Sequence, residues 1–146
     1  MTDLLDVNLL ISLAWPNHVH HELARGWFRT RPAEPWATTP VTESGFVRVS
    51  SHRAAIPTAV SPPEAMALLA RIRRVPGHIF LADDVEEVLG GQIDSARVVT
   101  HSLVTDAHLL AVARRHGARL VTLDRGVPAL AGAAADDVLV VRASAG

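Results

Sequence analysis

The 146-residue chain is 49% hydrophobic and 20% charged, as in globular proteins, and its length suits the single domain that we expect over residues 1–146. Its formal net charge of −1 argues against a strongly basic surface for nucleic acid, without excluding a local arginine cluster such as Arg71, Arg73 and Arg74. The absence of cysteine excludes disulfides, thiol catalysis and thiolate zinc sites, and the absence of lysine excludes Schiff-base chemistry and a Walker A lysine.

The first half of the chain alternates short apolar runs with helix signals. Residues 2–5 predict a strand that ends at Asp6, and residues 7–14 predict a short helix. Asn17 is a good cap for a second helix through about residue 29. A second strand is expected at 36–38, and Thr39 followed by Pro40 predicts the start of a third helix with Glu43 near its first turn.

The second half continues the alternation. Ser61 opens a capping box, a strand follows at 78–81, and Asp83 predicts a short helix that ends near residues 90–91. Thr105 and Asp106 begin the next helix, Gly117 ends it, and strands follow at 120–123 and, at an edge of the sheet, 138–141. Strands separated by helices predict an α/β fold: a Rossmann-like, three-layer α/β/α arrangement around a central, mainly parallel sheet.

Four acids occupy comparable positions, each where an apolar element ends or a helix begins: Asp6, Glu43, Asp106 and Asp124. Such residues can converge at the carboxyl edge of a parallel sheet, where α/β folds place their sites. Carboxylates drawn together repel one another and favour a hard divalent cation, so the pattern favours Mg²⁺, or Mn²⁺, over zinc. Taken singly, each of these residues is also explained as a helix-start or loop acid.

Two further residues are candidates for substrate binding. His108 lies two residues after Asp106, on a different helix face but still in the first turn, where it can line a cleft. Arg125 directly follows Asp124 and can reach a substrate phosphate. The start of the chain has no basic region before its apolar run, and no apolar run is long enough for a membrane span, so we expect a cytoplasmic protein without membrane contact.

The four acidic segments resemble a known family when they are taken together and in order. Residues 4–8 (LLDVN), 39–43 (TPVTE), 104–107 (VTDA) and 121–125 (VTLDR) are similar to the four acidic motifs of PIN-domain nucleases. In length and motif order the whole chain resembles the VapC toxin ribonucleases of bacterial toxin–antitoxin systems. The resemblance implies a PIN-like fold and a magnesium-dependent endoribonuclease. It also implies a homodimer that a cognate VapB-type antitoxin inhibits.

The resemblance also assigns roles by position. Asp6 and Asp106 correspond to the principal metal ligands, while Glu43 and Asp124 complete the pocket by binding a second ion or orienting water. Asn8 matches a small polar position that hydrogen-bonds a ligating carboxylate. The chain departs from many relatives after Asp124, where Arg-Gly-Val replaces a further acid and an aromatic residue. The implied products carry 5′-phosphate and 3′-hydroxyl ends.

Two other classes of function compete with this interpretation. A PIN-like module that binds RNA or protein without cleavage would use the same fold, but it has no need for all four acids. A phosphoacceptor receiver or an aspartate-nucleophile phosphatase fits poorly, because the receiver's lysine is absent and Asn8 stands where the phosphatase pattern has an aspartate.

Overall fold

The computed structural model describes residues 1–143, with a five-stranded sheet at their centre. The strands are β1 (Asp3–Leu5), β2 (Trp36–Thr38), β3 (His78–Phe80), β4 (Arg119–Thr122) and β5 (Val138–Val140). The order across the sheet is β3-β2-β1-β4-β5, and all four neighbouring pairs are parallel. The predicted parallel sheet and the edge position of its last strand are confirmed. The last three residues of the expected domain lie outside the described range.

Four helices pack on one face of the sheet: α1 (Val7–Ala14), α2 (His21–Thr30), α3 (Pro40–Ser50) and α4 (Pro62–Ile72). Local sequence fixes three of their starts. Asp6 caps α1 and Ser61 caps α4 through their side chains, and Pro40 supplies the first helical position of α3. Three of the four predicted helix starts on this face are therefore confirmed.

One helix, α5 (Val104–Arg115), packs on the opposite face together with several short 3₁₀ turns. Alternate residues of the central strands divide between the two apolar clusters. Leu4 and Leu120 face α5, whereas Leu5 and Val121 face the other four helices. This alternation, with period two, buries both faces of the sheet and gives the predicted three-layer α/β/α architecture.

The second helix begins later than predicted, at His21 instead of after Asn17. Residues 15–20 form a turn, in which the His18 backbone N–H donates to the Trp15 carbonyl. The His21 imidazole also lies 2.8 Å from the Ser12 carbonyl oxygen. These contacts with the end of α1 hold the turn in a non-helical path, so local capping by Asn17 is overridden.

The prediction of a short helix after Asp83 is wrong. Residues 82–94, which we call the acidic loop, contain no helix. Side chains of α5 and its C-terminal cap hold this loop. His108 Nε2 lies 2.6 Å from Asp83 Oδ2, and His116 Nε2 lies 3.0 Å from Asp84 Oδ1. The two aspartates that a helix start would use are therefore engaged by residues far along the chain.

The amino edge of the sheet contains a buried ion-pair network. Asp3 is 2% exposed, and its two carboxylate oxygens accept hydrogen bonds from Arg31 and Arg119 at 2.8–3.2 Å. The network ties β1 to β4 and to the segment before β2. Within residues 1–143, no helix combines the length and apolar character needed to cross a bilayer.

Candidate functional site

Three of the four predicted acids lie at the carboxyl edge of the sheet, around its two central strands. Asp6 directly follows β1, and Asp124 lies two residues after the end of the neighbouring strand β4. Asp106 is in the first turn of α5, the helix that packs on these strands. The charge of Asp124 acts on both Asp6 and Asp106, so the three carboxylates form one electrostatic group.

Asp6 is 3% exposed and is held by hydrogen bonds to both carboxylate oxygens. Oδ1 accepts from the Leu9 backbone N–H at 2.8 Å, which is the N-cap bond of α1. Oδ2 accepts from the Thr122 hydroxyl at 2.5 Å. The Thr122 oxygen in turn accepts from the Asp124 backbone N–H at 3.0 Å. Thr122 therefore links the end of β1 to the end of β4 and fixes the orientation of the Asp6 carboxylate.

The surroundings of Asp6 and Asp106 disfavour the ionised forms of these two carboxyl groups. Burial raises the pKa of Asp6 to about 6, and the nearby Asp124 charge adds to this effect, although the hydrogen bonds from Thr122 and Leu9 oppose it. Burial and the charges of Asp6 and Asp124 raise the pKa of Asp106 to about 7. None of the ion pairs among residues 1–143 involves any of these three acids. A positive charge supplied from outside the chain would relieve this repulsion.

The donor set fits a hard divalent cation. Carboxylate oxygens are the ligands that magnesium and manganese prefer, and magnesium typically keeps several waters while it is bound by one or two carboxylates. In the described range, no group of three or more acidic or histidine side chains converges closely enough to enclose an ion. The arrangement therefore fits a hydrated ion held by Asp6 and Asp106 better than a fully enclosed one.

Glu43 lies at the same edge but belongs to a neighbouring cluster. Its carboxylate accepts hydrogen bonds from the Thr38 hydroxyl at 2.6 Å and from Arg73 Nη1 at 3.3 Å. The Thr38 hydroxyl also lies 2.8 Å from His78 Nε2. Burial and then the charge of Arg73 lower the pKa of His78, against the opposing effect of Glu43. The structure thus brings three predicted acids together and places Glu43 with β2, β3 and the end of α4.

The remaining predicted site residues differ in their surroundings. Asn8 is exposed in the first turn of α1, and the hydrogen bonds to Asp6 come from Leu9 and Thr122 rather than from its side chain. Arg125 is exposed beside Asp124, where it is accessible to a ligand. His108 has both ring nitrogens engaged, with the Val88 carbonyl at 2.7 Å and with Asp83. Its structural contacts are therefore with the acidic loop.

Sequence reasoning missed Thr122, which is the side chain that orients Asp6. Its role becomes visible only from the register of the sheet. Leu5 pairs with Val121, so the residue after each of them, Asp6 and Thr122, must also be neighbours. A polar residue at the end of a buried strand, opposite a buried acid, is the pattern to look for.

A family model and similar proteins of known family agree on the family of this chain. The model of the PIN domain matches residues 4–133. The chain is 48% identical over 139 residues to ribonuclease VapC39 of Mycobacterium tuberculosis, covering 95% of this chain and 100% of that protein. It is 50% identical over 128 residues to ribonuclease VapC38 of the same organism, covering 88% of this chain and 89% of the relative.

Solved structures share the fold at lower sequence identity. The toxin VapC20 of Mycobacterium tuberculosis, described as cleaving the sarcin–ricin loop, superposes with a TM-score of 0.57 at 16% identity, covering 80% of this chain and 85% of that chain. The FitAcB structure from Neisseria gonorrhoeae superposes with a TM-score of 0.55 at 17% identity and covers 96% of each chain. These similarities support the same three-layer fold.

Proposed function

The chain belongs to the PIN-domain family, among the VapC toxins, and from that premise we propose that it is a divalent-metal-dependent endoribonuclease that acts as the toxin of a toxin–antitoxin pair. The ribonuclease names of relatives with about half of their residues identical support the activity. The structural observation that carries the proposal is the group of Asp6, Asp106 and Asp124 at one edge of the sheet, without an ion-pair partner in the described range.

The proposed chemistry is hydrolysis of a phosphodiester bond. A bound magnesium or manganese ion would supply an activated water and would neutralise charge that develops on the phosphate. Water attacks phosphorus and the bond to the 3′ oxygen breaks, so that the phosphate stays on the 5′ end and the 3′ oxygen leaves as a hydroxyl.

The residues of the chain bind and orient the participants. In the proposal, Asp6 and Asp106 hold the ion, and Thr122 fixes Asp6 in the orientation that binding requires. Asp124, which is exposed, orients water or holds a second ion. Glu43 serves the same purpose from the β2 side, where its carboxylate is paired with one nitrogen of the exposed Arg73 side chain.

Arg125 and Asn8 complete the proposed substrate-binding and positioning residues. Arg125 is kept as a contact to substrate phosphate because it is exposed next to Asp124. Asn8 is kept as a supporting polar group at the start of α1. His108 anchors the acidic loop in this proposal and does not contact substrate, since both of its ring nitrogens have protein partners.

The test measures cleavage of a mixed-sequence RNA pool with Mg²⁺ or Mn²⁺ and in excess chelator. We expect cleavage with either ion, none in chelator, and none from Asp6→Asn, which removes a negative charge while keeping the side-chain shape. Asp136→Asn is the matched control, because Asp136 is exposed and precedes β5 at the opposite edge of the sheet. Cleavage by Asp6→Asn at the wild-type rate would refute the proposed site.

The alternative is a PIN-like module that binds RNA or protein without cleavage. One observation favours it: Glu43 is paired with Arg73 instead of joining the other acids. The same assay separates the two proposals, because a binding module retains RNA in the presence of Mg²⁺ and leaves it intact.

The proposed partners follow from family membership. We expect a cytoplasmic homodimer that a VapB-type antitoxin inhibits. Co-expression with a VapB-type antitoxin, followed by light scattering of the purified toxin and of the complex, tests both expectations. A monomer that neither binds the antitoxin nor is inhibited by it would contradict them.

A further inference from the structure

The edge strand β3 carries an exposed aromatic ring at the same edge of the sheet as the acids. Phe80 is the last residue of β3 and is 46% exposed. It pairs with Thr38, the last residue of β2, which is in turn level with the end of β1 just before Asp6. Two strand spacings separate β3 from β1, so Phe80 lies about 10 Å across the sheet from the Asp6 strand.

The ring of Phe80 does not belong to either apolar cluster of the protein. Trp36, on the same face of the sheet, does belong to one. Trp36, one strand away, is 2% exposed and packs against the ring of His78 at 4.7 Å between centroids. The interior packing thus ends at His78, and Phe80 continues the row into solvent. Such a ring at a candidate site offers a flat apolar surface to a ligand.

A guanidinium group lies over this ring. Arg73, at the end of α4, has its central carbon 5.4 Å from the Phe80 centroid, and its side chain is 44% exposed. Its ion pair with Glu43 uses Nη1 at 3.3 Å, one nitrogen of a group that has five N–H donors. Arg73 therefore joins the aromatic surface to the acidic edge and keeps exposed donors for an anion.

We propose that Phe80 and Arg73 form a subsite for one nucleotide of single-stranded RNA, in which Phe80 stacks on the base and Arg73 contacts the phosphate. The subsite rests on the proposed function, since it would hold the strand beside the acids that cleave it. Unpaired bases are recognised by stacking on aromatic rings and guanidinium planes, whereas paired bases are not free to do so. The subsite therefore predicts a preference for unpaired over duplex RNA.

The experiment compares cleavage kinetics and binding for variants of this pair. Phe80→Leu keeps the apolar volume but removes the aromatic face, and we expect it to raise KM about tenfold with kcat within about twofold. Phe80→Trp keeps an aromatic face, so its KM should stay near the wild-type value. Arg73→Lys keeps the charge without the planar group and should raise KM by a smaller factor. Matched controls are Ile79→Ala, on the opposite face of β3, and Arg53→Lys, beyond the far end of α3.

Binding is measured separately by fluorescence anisotropy in the Asp6→Asn background, with a labelled mixed-sequence RNA 20-mer, single-stranded or annealed to its complement. We expect Phe80→Leu to weaken binding of the single strand about tenfold and to leave binding of the duplex unchanged. Thermal unfolding of each variant verifies that it folds. Equal KM and equal affinity of Phe80→Leu and wild type, or an equal loss in Ile79→Ala, would overturn the subsite.

The two proposals fail in different ways. If wild type cleaves RNA and Phe80→Leu is unaffected, the subsite is wrong and the nuclease proposal stands. If wild type binds RNA without cleaving it and Phe80→Leu weakens that binding, the subsite stands and the nuclease proposal falls. A protein that neither binds nor cleaves the RNA pool would overturn both.

Discussion

Replacing Asp106 with asparagine should stabilise the metal-free protein at pH 8. Burial and the charges of Asp6 and Asp124 raise the pKa of Asp106 from 3.8 to about 7, so its ionised form is unfavourable in the folded state. In the unfolded chain the same carboxyl group ionises near its ordinary pKa. Between these two values the folded state binds the additional proton, and stability falls as the pH rises. Asparagine removes this dependence because it carries no charge.

The magnitude follows from the size of the shift. One pKa unit corresponds to about 1.4 kcal/mol, so a shift of about three units sets a ceiling of about 4 kcal/mol. Asp106 is partly exposed, and solvent screening reduces this to about 1–2 kcal/mol. For a chain of this size, that gain raises the melting temperature by about 5 °C. As the pH falls towards 3.8, the ordinary pKa of the carboxyl group, the unfolded state also takes up the proton and the difference between the two proteins should shrink steeply.

The assay is urea unfolding in chelator at several pH values from 4 to 8, for wild type, Asp106→Asn and the control Asp136→Asn. The pKa of His108 is also raised: burial lowers it, but the hydrogen bonds that the imidazole donates to the Asp83 carboxylate and the Val88 carbonyl outweigh burial. Its stabilising contribution is lost as the pH rises through the raised value, in both proteins, so it largely cancels in the comparison. A constant difference between wild type and Asp106→Asn from pH 4 to 8 would refute the charge-repulsion argument.

The same variant links stability to metal binding. A ligand that binds the folded state at one hundred times its dissociation constant stabilises it by about 2.7 kcal/mol. Wild type should therefore gain stability from Mg²⁺ at pH 8, whereas Asp106→Asn should gain little. Equal stabilisation of both proteins by Mg²⁺ would show that Asp106 is not a ligand.

Three further predictions concern residues that support the site and the fold. Thr122→Val removes the hydroxyl that orients Asp6 and should raise the Mg²⁺ concentration for half-maximal cleavage about tenfold; an unchanged metal titration would contradict this role. Asp3→Asn leaves the buried Arg31 guanidinium without its charge partner and should lower the free energy of unfolding by about 2–4 kcal/mol in urea titration; a loss below about 0.5 kcal/mol would show that the network is dispensable. His108→Gln should release the acidic loop and accelerate limited proteolysis within residues 82–94, and an unchanged digestion pattern would count against this anchor.

The sequence predicts an element well where its start is determined locally. The helix that follows Asp6 begins where expected because the side chain of Asp6 itself accepts the capping hydrogen bond from Leu9. The helix after Thr39 begins where expected because Pro40 is suited to a first helical position and to few others. In both cases the signal and its effect lie within four residues, so no tertiary contact is needed to interpret them.

The failures occur where distant side chains decide. Asp83 and Asp84 have the composition of a helix start, but His108 and His116, 25 and 32 residues later, bind their carboxylates and hold an irregular loop. Glu43 is grouped correctly with the sheet edge, yet a partner 30 residues away, Arg73, determines where its carboxylate points. Such pairings depend on the order of strands in the sheet, which residue patterns do not encode.

Strand β1 places a buried aspartate at each of its ends, and the two are treated in opposite ways. Asp3, 2% exposed, is neutralised by two arginines and so contributes to joining the strands. Asp6, 3% exposed, has hydrogen bonds but no arginine, and further acids lie beside it. The chain contains many other arginines, so a lack of arginine does not explain why Asp6 has no ion-pair partner within residues 1–143 while Asp3 has two. Leaving Asp6 without an ion-pair partner lowers the free energy of unfolding of the metal-free protein. This loss is offset if a cation binds at the carboxyl edge during the proposed reaction.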